Sequence, residues 1–153
     1  MDRLVVWDVD SLAPEEVAAL EGWASGGGTA LVGGPLPGFD GEVRQVSEGT
    51  ARPAAPGPAA AGIRAVTVGS GRFRAAPAER LVHLKDEEGR PVLVSWRVGQ
   101  GRIFWSADTA WLSNARIGEA QNLDLALQIL LPPRGGQVAF DEYHHGFVAP
   151  PRW

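Results

Sequence analysis

The chain has 153 residues, 14 basic and 18 acidic side chains, a formal net charge of -4 and no cysteine. That length supports one domain around a single core, and the missing cysteines exclude disulfides, thiolate metal sites and a cysteine nucleophile while leaving the compartment open. The acidic balance offers no basic field to hold a phosphate backbone, so nucleic acid is not an expected partner. In chain order, Arg3 to Val9 (RLVVWDV) is a short valine-rich run bounded by polar turn residues, the pattern of an interior strand. SLAPEEVAALEGWASGGG follows as a helix: Pro14 suits a first turn, Glu15 and Glu16 complement the positive end of the helix dipole, and Val17, Leu20 and Ala24 mark one face. Gly26, Gly27 and Gly28 stop it, and Thr29 to Val32 (TALV) is a second strand. Connections this short make a βαβ unit with a parallel strand pair.

Residues 33–62, with GGPLPGFDG and ARPAAPGPAAAG, turn to glycine, proline and alanine without sustained periodicity and are expected to form a long loop. IRAVTVGS, RLVHL and PVLVSW then read as three short strands, separated by RFRAAPAE and the acidic turn KDEEGR. Gly99 and Gly101 form a hairpin turn into a buried strand at Arg102 to Ser106. Glu119 to Leu131 carries apolar residues at 123, 126, 127, 130 and 131, the spacing of an amphipathic helix. Pro132 and Pro133 stop it, and Gln137 to Phe140 (QVAF) is a last strand leading into FDEYHHG. No run approaches the roughly 18 apolar residues of a bilayer span, and the first ten residues lack the zones of a signal peptide. The fold expected from this order is α/β, a mostly parallel sheet flanked by helices. One domain is expected over 1–153, excised from a longer protein.

In open α/β sheets ligands bind beyond the carboxyl ends of the parallel strands. Applied here, that rule gathers Asp8 and Asp10, Asp108, and Asp141, Glu142, Tyr143, His144 and His145 on one edge, with Asn114 and Asn122 nearby. Oxygen and imidazole ligands from Asp108, Asp141, Glu142, His144 or His145 would suit a divalent metal, with Asp108, Asp141 and His144 as the candidate set. A carboxylate with a histidine would suit acid–base work. Ser106, at a strand end, would be a nucleophile, but it lacks the flanking glycines that expose the hydroxyl in a G-x-S-x-G turn. The remaining reading is a polar network that hydrogen-bonds loop backbone and holds the edge together, the ordinary fate of buried polar groups. Asn114 is expected in a turn or cap and Asn122 as a helix cap. Trp7, Trp96 and Trp105 are expected in the core and Trp111 as an exposed ring. GGGTALVGGP lacks the lysine of a phosphate loop, and no cofactor is implied.

Three blocks resemble the domain of unknown function 4350 family. They are LVVWDVDSLAPEEVAALEGWASGGGTALVGG, GQGRIFWSADTAWLSNARIGEAQNLDLALQIL with its G-x-G-R strand, aspartate and L-S-N turn, and VAFDEYHHG. The resemblance implies a class I glutamine amidotransferase-like (flavodoxin-like) three-layer sandwich, with the family's first strand and helix absent or the sheet edge truncated. It implies an extracytoplasmic domain held by transmembrane helices outside this chain, the alternative being a cytoplasmic one. It also implies gene neighbours of the MoxR-type ATPase kind, hence a part in a membrane-associated assembly. Asp108, Asn114, Asn122, Asp141, Glu142, His144 and Gly146 carry over as signature positions without assigned roles, and the absent cysteine rules out glutaminase chemistry. The function expected is a non-catalytic domain that binds a protein partner or small ligand at the carboxyl edge; the alternative is a metal-assisted hydrolase using the Asp/Glu/His cluster.

Overall fold

The computed structural model describes residues 3–39, 41–54, 57–75, 79–131 and 136–141. Along the chain run β1 (Arg3–Val6), α1 (Pro14–Ser25), β2 (Thr29–Gly33), β3 (Val43–Gln45), β4 (Gly49–Pro53), a 3-10 turn at Pro58–Ala60, β5 (Val66–Val68), β6 (Gly71–Phe73), β7 (Leu81–Asp86), β8 (Pro91–Val98), β9 (Gly101–Ser106), a 3-10 turn at Ala110–Leu112, α2 (Asn122–Leu130) and β10 (Val138–Phe140). Eight strands form one sheet in the order β10-β1-β2-β9-β8-β7-β4-β5, and β3 pairs with β6 apart from it.

This corrects the expected fold. Only β10, β1, β2 and β9 run parallel, whereas the pairings β9 with β8, β8 with β7, β7 with β4, β4 with β5 and β3 with β6 are all antiparallel. The molecule is a β-rich mixed sheet with two α-helices among the described residues, not a mostly parallel, amidotransferase-like sandwich with or without its first strand and helix. The reason is the length of the connections. A parallel crossover takes a dozen residues or more, but Glu87–Arg90 and Gly99–Gln100 are all that separate β7, β8 and β9. The 33–62 segment is corrected as well, since it contains β3 and β4. Their glycine, proline and arginine content hides them from a periodicity reading, and they hold through long-range pairing with β6, β5 and β7.

Each helix covers one face of the parallel half. Leu20 and Ala24 of α1 pack with Leu4, Val6, Ala30, Val32, Ile103 and Trp105. The Glu16 carboxylate reaches back to accept the Ala13 N–H at 2.9 Å, which satisfies one of the open donors at the start of α1. On the opposite face α2 buries Leu125, Ala126 and Ile129 against Leu31, Val92, Leu93 and Phe104. The expected core stripe of α2 holds only in part: Ala126 is buried and Leu130 packs against the core, but Leu123, Leu127 and Leu131 are 50%, 41% and 60% exposed. Two apolar stripes overlap on this helix, and the one that wins contains Asn122, whose polar side chain disguises it in the sequence. On the α1 side Trp105 meets Phe73 and Phe39 edge to face at ring distances of 4.7 and 5.3 Å. Such pairs add about 0.5–1.5 kcal/mol each beyond burial, and they anchor the β3–β6 ribbon on the main sheet.

Candidate functional site

The parallel strands β10, β1, β2 and β9 end on one edge, and backbone bonds tie those ends together. The Asp141 N–H donates to the Val5 carbonyl at 2.8 Å, the Val9 N–H to Gly33 at 3.3 Å, and the Gly34 N–H to Ser106 at 3.1 Å. Gly34 has φ +131°, and a Cβ there would stand 2.2 Å from the Val9 carbonyl oxygen, so this crossing of the chain requires glycine.

Beyond β9 the chain turns around Asp108, which is 3% exposed. One carboxylate oxygen accepts the backbone N–H groups of Gly69 at 3.0 Å and Trp111 at 3.1 Å. Ser106 donates its hydroxyl to the Asp108 carbonyl at 2.6 Å and accepts the Trp111 indole N–H at 2.9 Å. Asn122 is fully buried and makes a ladder-like pair with Thr67, accepting its N–H at 2.8 Å and donating to its carbonyl at 2.9 Å. Its amide also donates to the carbonyls of Trp111 and Arg116, each at 3.0 Å. Asp108 and Asn122 thus grip the backbone N–H and carbonyl of Trp111 and bind the segment after β9 to Thr67 in β5 and to Gly69 just beyond it.

The structure gathers the expected residues unequally. Asp108 and Asn122 share Trp111. Asp8 and Asp10 are exposed on the rim, with the Thr109 hydroxyl 3.4 Å from the Asp8 carboxylate. Asp8 holds φ 57°, a left-handed conformation that aspartate tolerates better than most residues. Asp141 is 8% exposed at the end of β10, next to β1. Asn114 is exposed in a turn. Glu142, Tyr143, His144 and His145 lie outside the described residues, and among the described residues no group of three His, Cys, Asp or Glu is placed to hold a metal.

Two smaller expectations are corrected, on Trp111 and Asn122, and the doubt about Ser106 as a nucleophile holds. Trp111 is buried rather than exposed, packed edge to face on Trp7 at 5.4 Å. Asn122 does not cap its helix, because its side chain is spent on Thr67, Trp111 and Arg116. Ser106 is buried with its oxygen engaged on both sides, which leaves it no nucleophilic role.

Two polar clusters lie outside that edge, and the sequence reading missed both. In the first, the nearly inaccessible Arg72 donates to Asp86 at 2.9 Å and to the carbonyls of Gly69 and Gly71, while Arg90 meets the same carboxylate at 2.7 Å. In the second, Ser95 on β8 sits between the Arg102 guanidinium, which donates to its oxygen at 2.7 Å, and His83 Nε2 at 2.6 Å. Arginine can only donate, so the serine hydroxyl has its own proton for the ring. Burial, and then the charge of Arg102, lowers the His83 pKa and favours the neutral ring that accepts it. A cavity of about 540 Å³ opens beside this chain of bonds, between Trp96, Arg97, Arg102 and Arg80. Its signal was present in RVGQGR: a two-residue hairpin turn sets the flanking arginines face to face.

The family model for DUF4350, a domain of unknown function, matches residues 3–130. No curated protein matches the chain. Among solved structures, the mmIFT52 N-terminal domain superposes with a TM-score of 0.62 at 12% identity, over 90% of this chain and 80% of its own. The beta-galactosidase from Bacillus circulans sp. alkalophilus gives 0.60 at 13% identity, over 86% of this chain and 24% of that one. The cytoplasmic protein STM3548 from Salmonella typhimurium gives 0.58 at 15%, over 83% and 69%. At such identities the likeness is one of fold alone, and the chain spans about a quarter of the galactosidase's length.

Proposed function

From the premise that this chain belongs to the DUF4350 family of domains of unknown function, we propose that it is a non-catalytic binding domain whose carboxyl edge docks a protein partner. The observation that carries this reading is the fate of Asp108 and Asn122. Their side chains are buried and committed to backbone groups, so they shape the edge instead of moving protons. Among the described residues, the same edge presents the carboxylates of Asp8 and Asp10 to solvent. A complementary partner surface is basic, since opposed potentials steer encounter and reject wrong partners. In the full-length protein the domain is extracytoplasmic and membrane-tethered, and it serves in an assembly with a MoxR-type ATPase, as the family resemblance implies.

The test is cross-linking of the full-length protein in its native membranes, with the captured neighbours identified. Asp8→Lys and Asp10→Lys together are expected to abolish capture of the main neighbour without lowering the melting temperature. Unchanged capture would remove the acidic edge as the docking surface. Steady turnover of amide, ester or glycoside panels that Asp141→Asn abolishes would overturn the non-catalytic reading.

A further inference from the structure

Across the hairpin of β8 and β9 the register sets Arg97 directly opposite Arg102. Like charges facing each other across an antiparallel pair destabilise it. Among the described residues neither arginine forms an ion pair with a carboxylate. Arg97 is exposed, and Arg102 is partly buried and held in place by the fully buried Ser95, which His83 braces from its other side. Arg80 adds a third guanidinium, 3.4 Å above the Trp96 ring. All three border the same cavity, and the acid among its described lining residues is the exposed Glu79.

We propose that this cavity is a binding site for a small molecule bearing an oxyanion, a phosphate monoester or a carboxylate, gripped between the guanidinium groups of Arg97 and Arg102. Guanidinium forks match both oxyanions through paired N–H donors. A bound anion also cancels the cross-strand repulsion that the apo hairpin carries. Burial and the neighbouring Arg97 lower the Arg102 pKa, which is the same strain seen from the proton's side. The cavity, about 540 Å³, falls in the range of roughly 300–1,000 Å³ typical of small-molecule sites. That is more room than the anionic group needs. Ser95 and His83 are positioning residues: they set the Arg102 fork and do not attack the ligand. The site stands at the amino end of β9, across the sheet from the acidic carboxyl edge, so it is independent of the docking reading above.

Isothermal titration and thermal shift at low ionic strength, with inorganic phosphate, phenyl phosphate and benzoate as probes, test the proposal. Phenyl phosphate or benzoate is expected to bind and raise the melting temperature, the stronger of the two identifying the anion class. Arg97→Ala and Arg102→Gln are each expected to weaken that probe by about tenfold or more, the loss of a charge-assisted hydrogen bond. Arg97→Ala is also expected to keep or raise the melting temperature of the free protein, because it removes repulsion. No heat and no shift with any of the three probes overturns the proposal. So does binding that Arg97→Ala leaves unchanged; this side chain is exposed, so its variant decides even if Arg102→Gln fails to fold.

Discussion

At Asp86 two guanidinium groups and two backbone N–H groups converge on one carboxylate. Arg72 and Arg90 share one oxygen, and the N–H groups of Glu88 and Arg90 take the other. Burial alone would raise its pKa, but the bonds from Arg90, Arg72 and Glu88 outweigh it and hold the group at about 2 instead of 3.8. The folded value lies below the unfolded one, so the stabilisation is complete above the unfolded pKa and disappears as pH falls from 3.8 towards about 2. A shift of nearly two units corresponds to roughly 2 kcal/mol. Urea unfolding at about pH 6 and about pH 2.5 is expected to show wild type losing roughly 1.5 kcal/mol more stability than Asp86→Asn, most of the full contribution. Equal losses would mean that the carboxylate is not preferentially ionised in the fold. None of this was legible in RFRAAPAE and KDEEGR, which read as separators between strands. A buried ion pair has no local pattern, and Arg72 meets Asp86 only because β6 packs beside β8 and the β7–β8 turn.

At the scale of elements, Asp108 and Asn122 decide how the segment between β9 and α2 sits on β5. Asn122→Ala removes four hydrogen bonds and leaves buried carbonyls unpaired, a loss of about 2–4 kcal/mol by chemical denaturation. Asn122→Asp is expected to cost more, because a carboxylate would then face the carbonyl oxygens of Thr67, Trp111 and Arg116. At Asp108 the order reverses. A single oxygen accepts both N–H groups, so Asp108→Asn can keep both bonds and is expected to be mild, whereas Asp108→Ala loses both and costs about 2 kcal/mol or more. Unchanged stability in Asp108→Ala and Asn122→Ala would contradict a clasp. The sequence marked both residues as worth explaining and located them at a strand end and a helix start. Their partners were hidden, since Gly69 and Thr67 lie 39 and 55 residues away along the chain.

At the scale of the whole molecule, the sheet is deepest at β2, β9 and β8, flanked by strands on both sides, while β10 and β3 are short and largely exposed. Hydrogen exchange read by mass spectrometry is expected to be slowest over 29–33 and 92–106 and fastest over 43–45 and 138–140; the reverse order would place the stable centre elsewhere. What the sequence by itself determined is local: a βαβ unit at the amino end, two helices near their observed places, a tight hairpin after Val98, and a set of acids at strand ends. Periodicity and turn chemistry act over a few residues, and the chain carries them openly. The tertiary structure alone decided that the sheet continues antiparallel beyond β9, that α2 buries Leu125 and Ile129 instead of Leu123 and Leu127, that Trp111 lies inside, and that Asp108 is spent on backbone. Each of those outcomes depends on which distant segments meet, because burial and pairing are properties of a neighbourhood assembled from residues far apart in the chain.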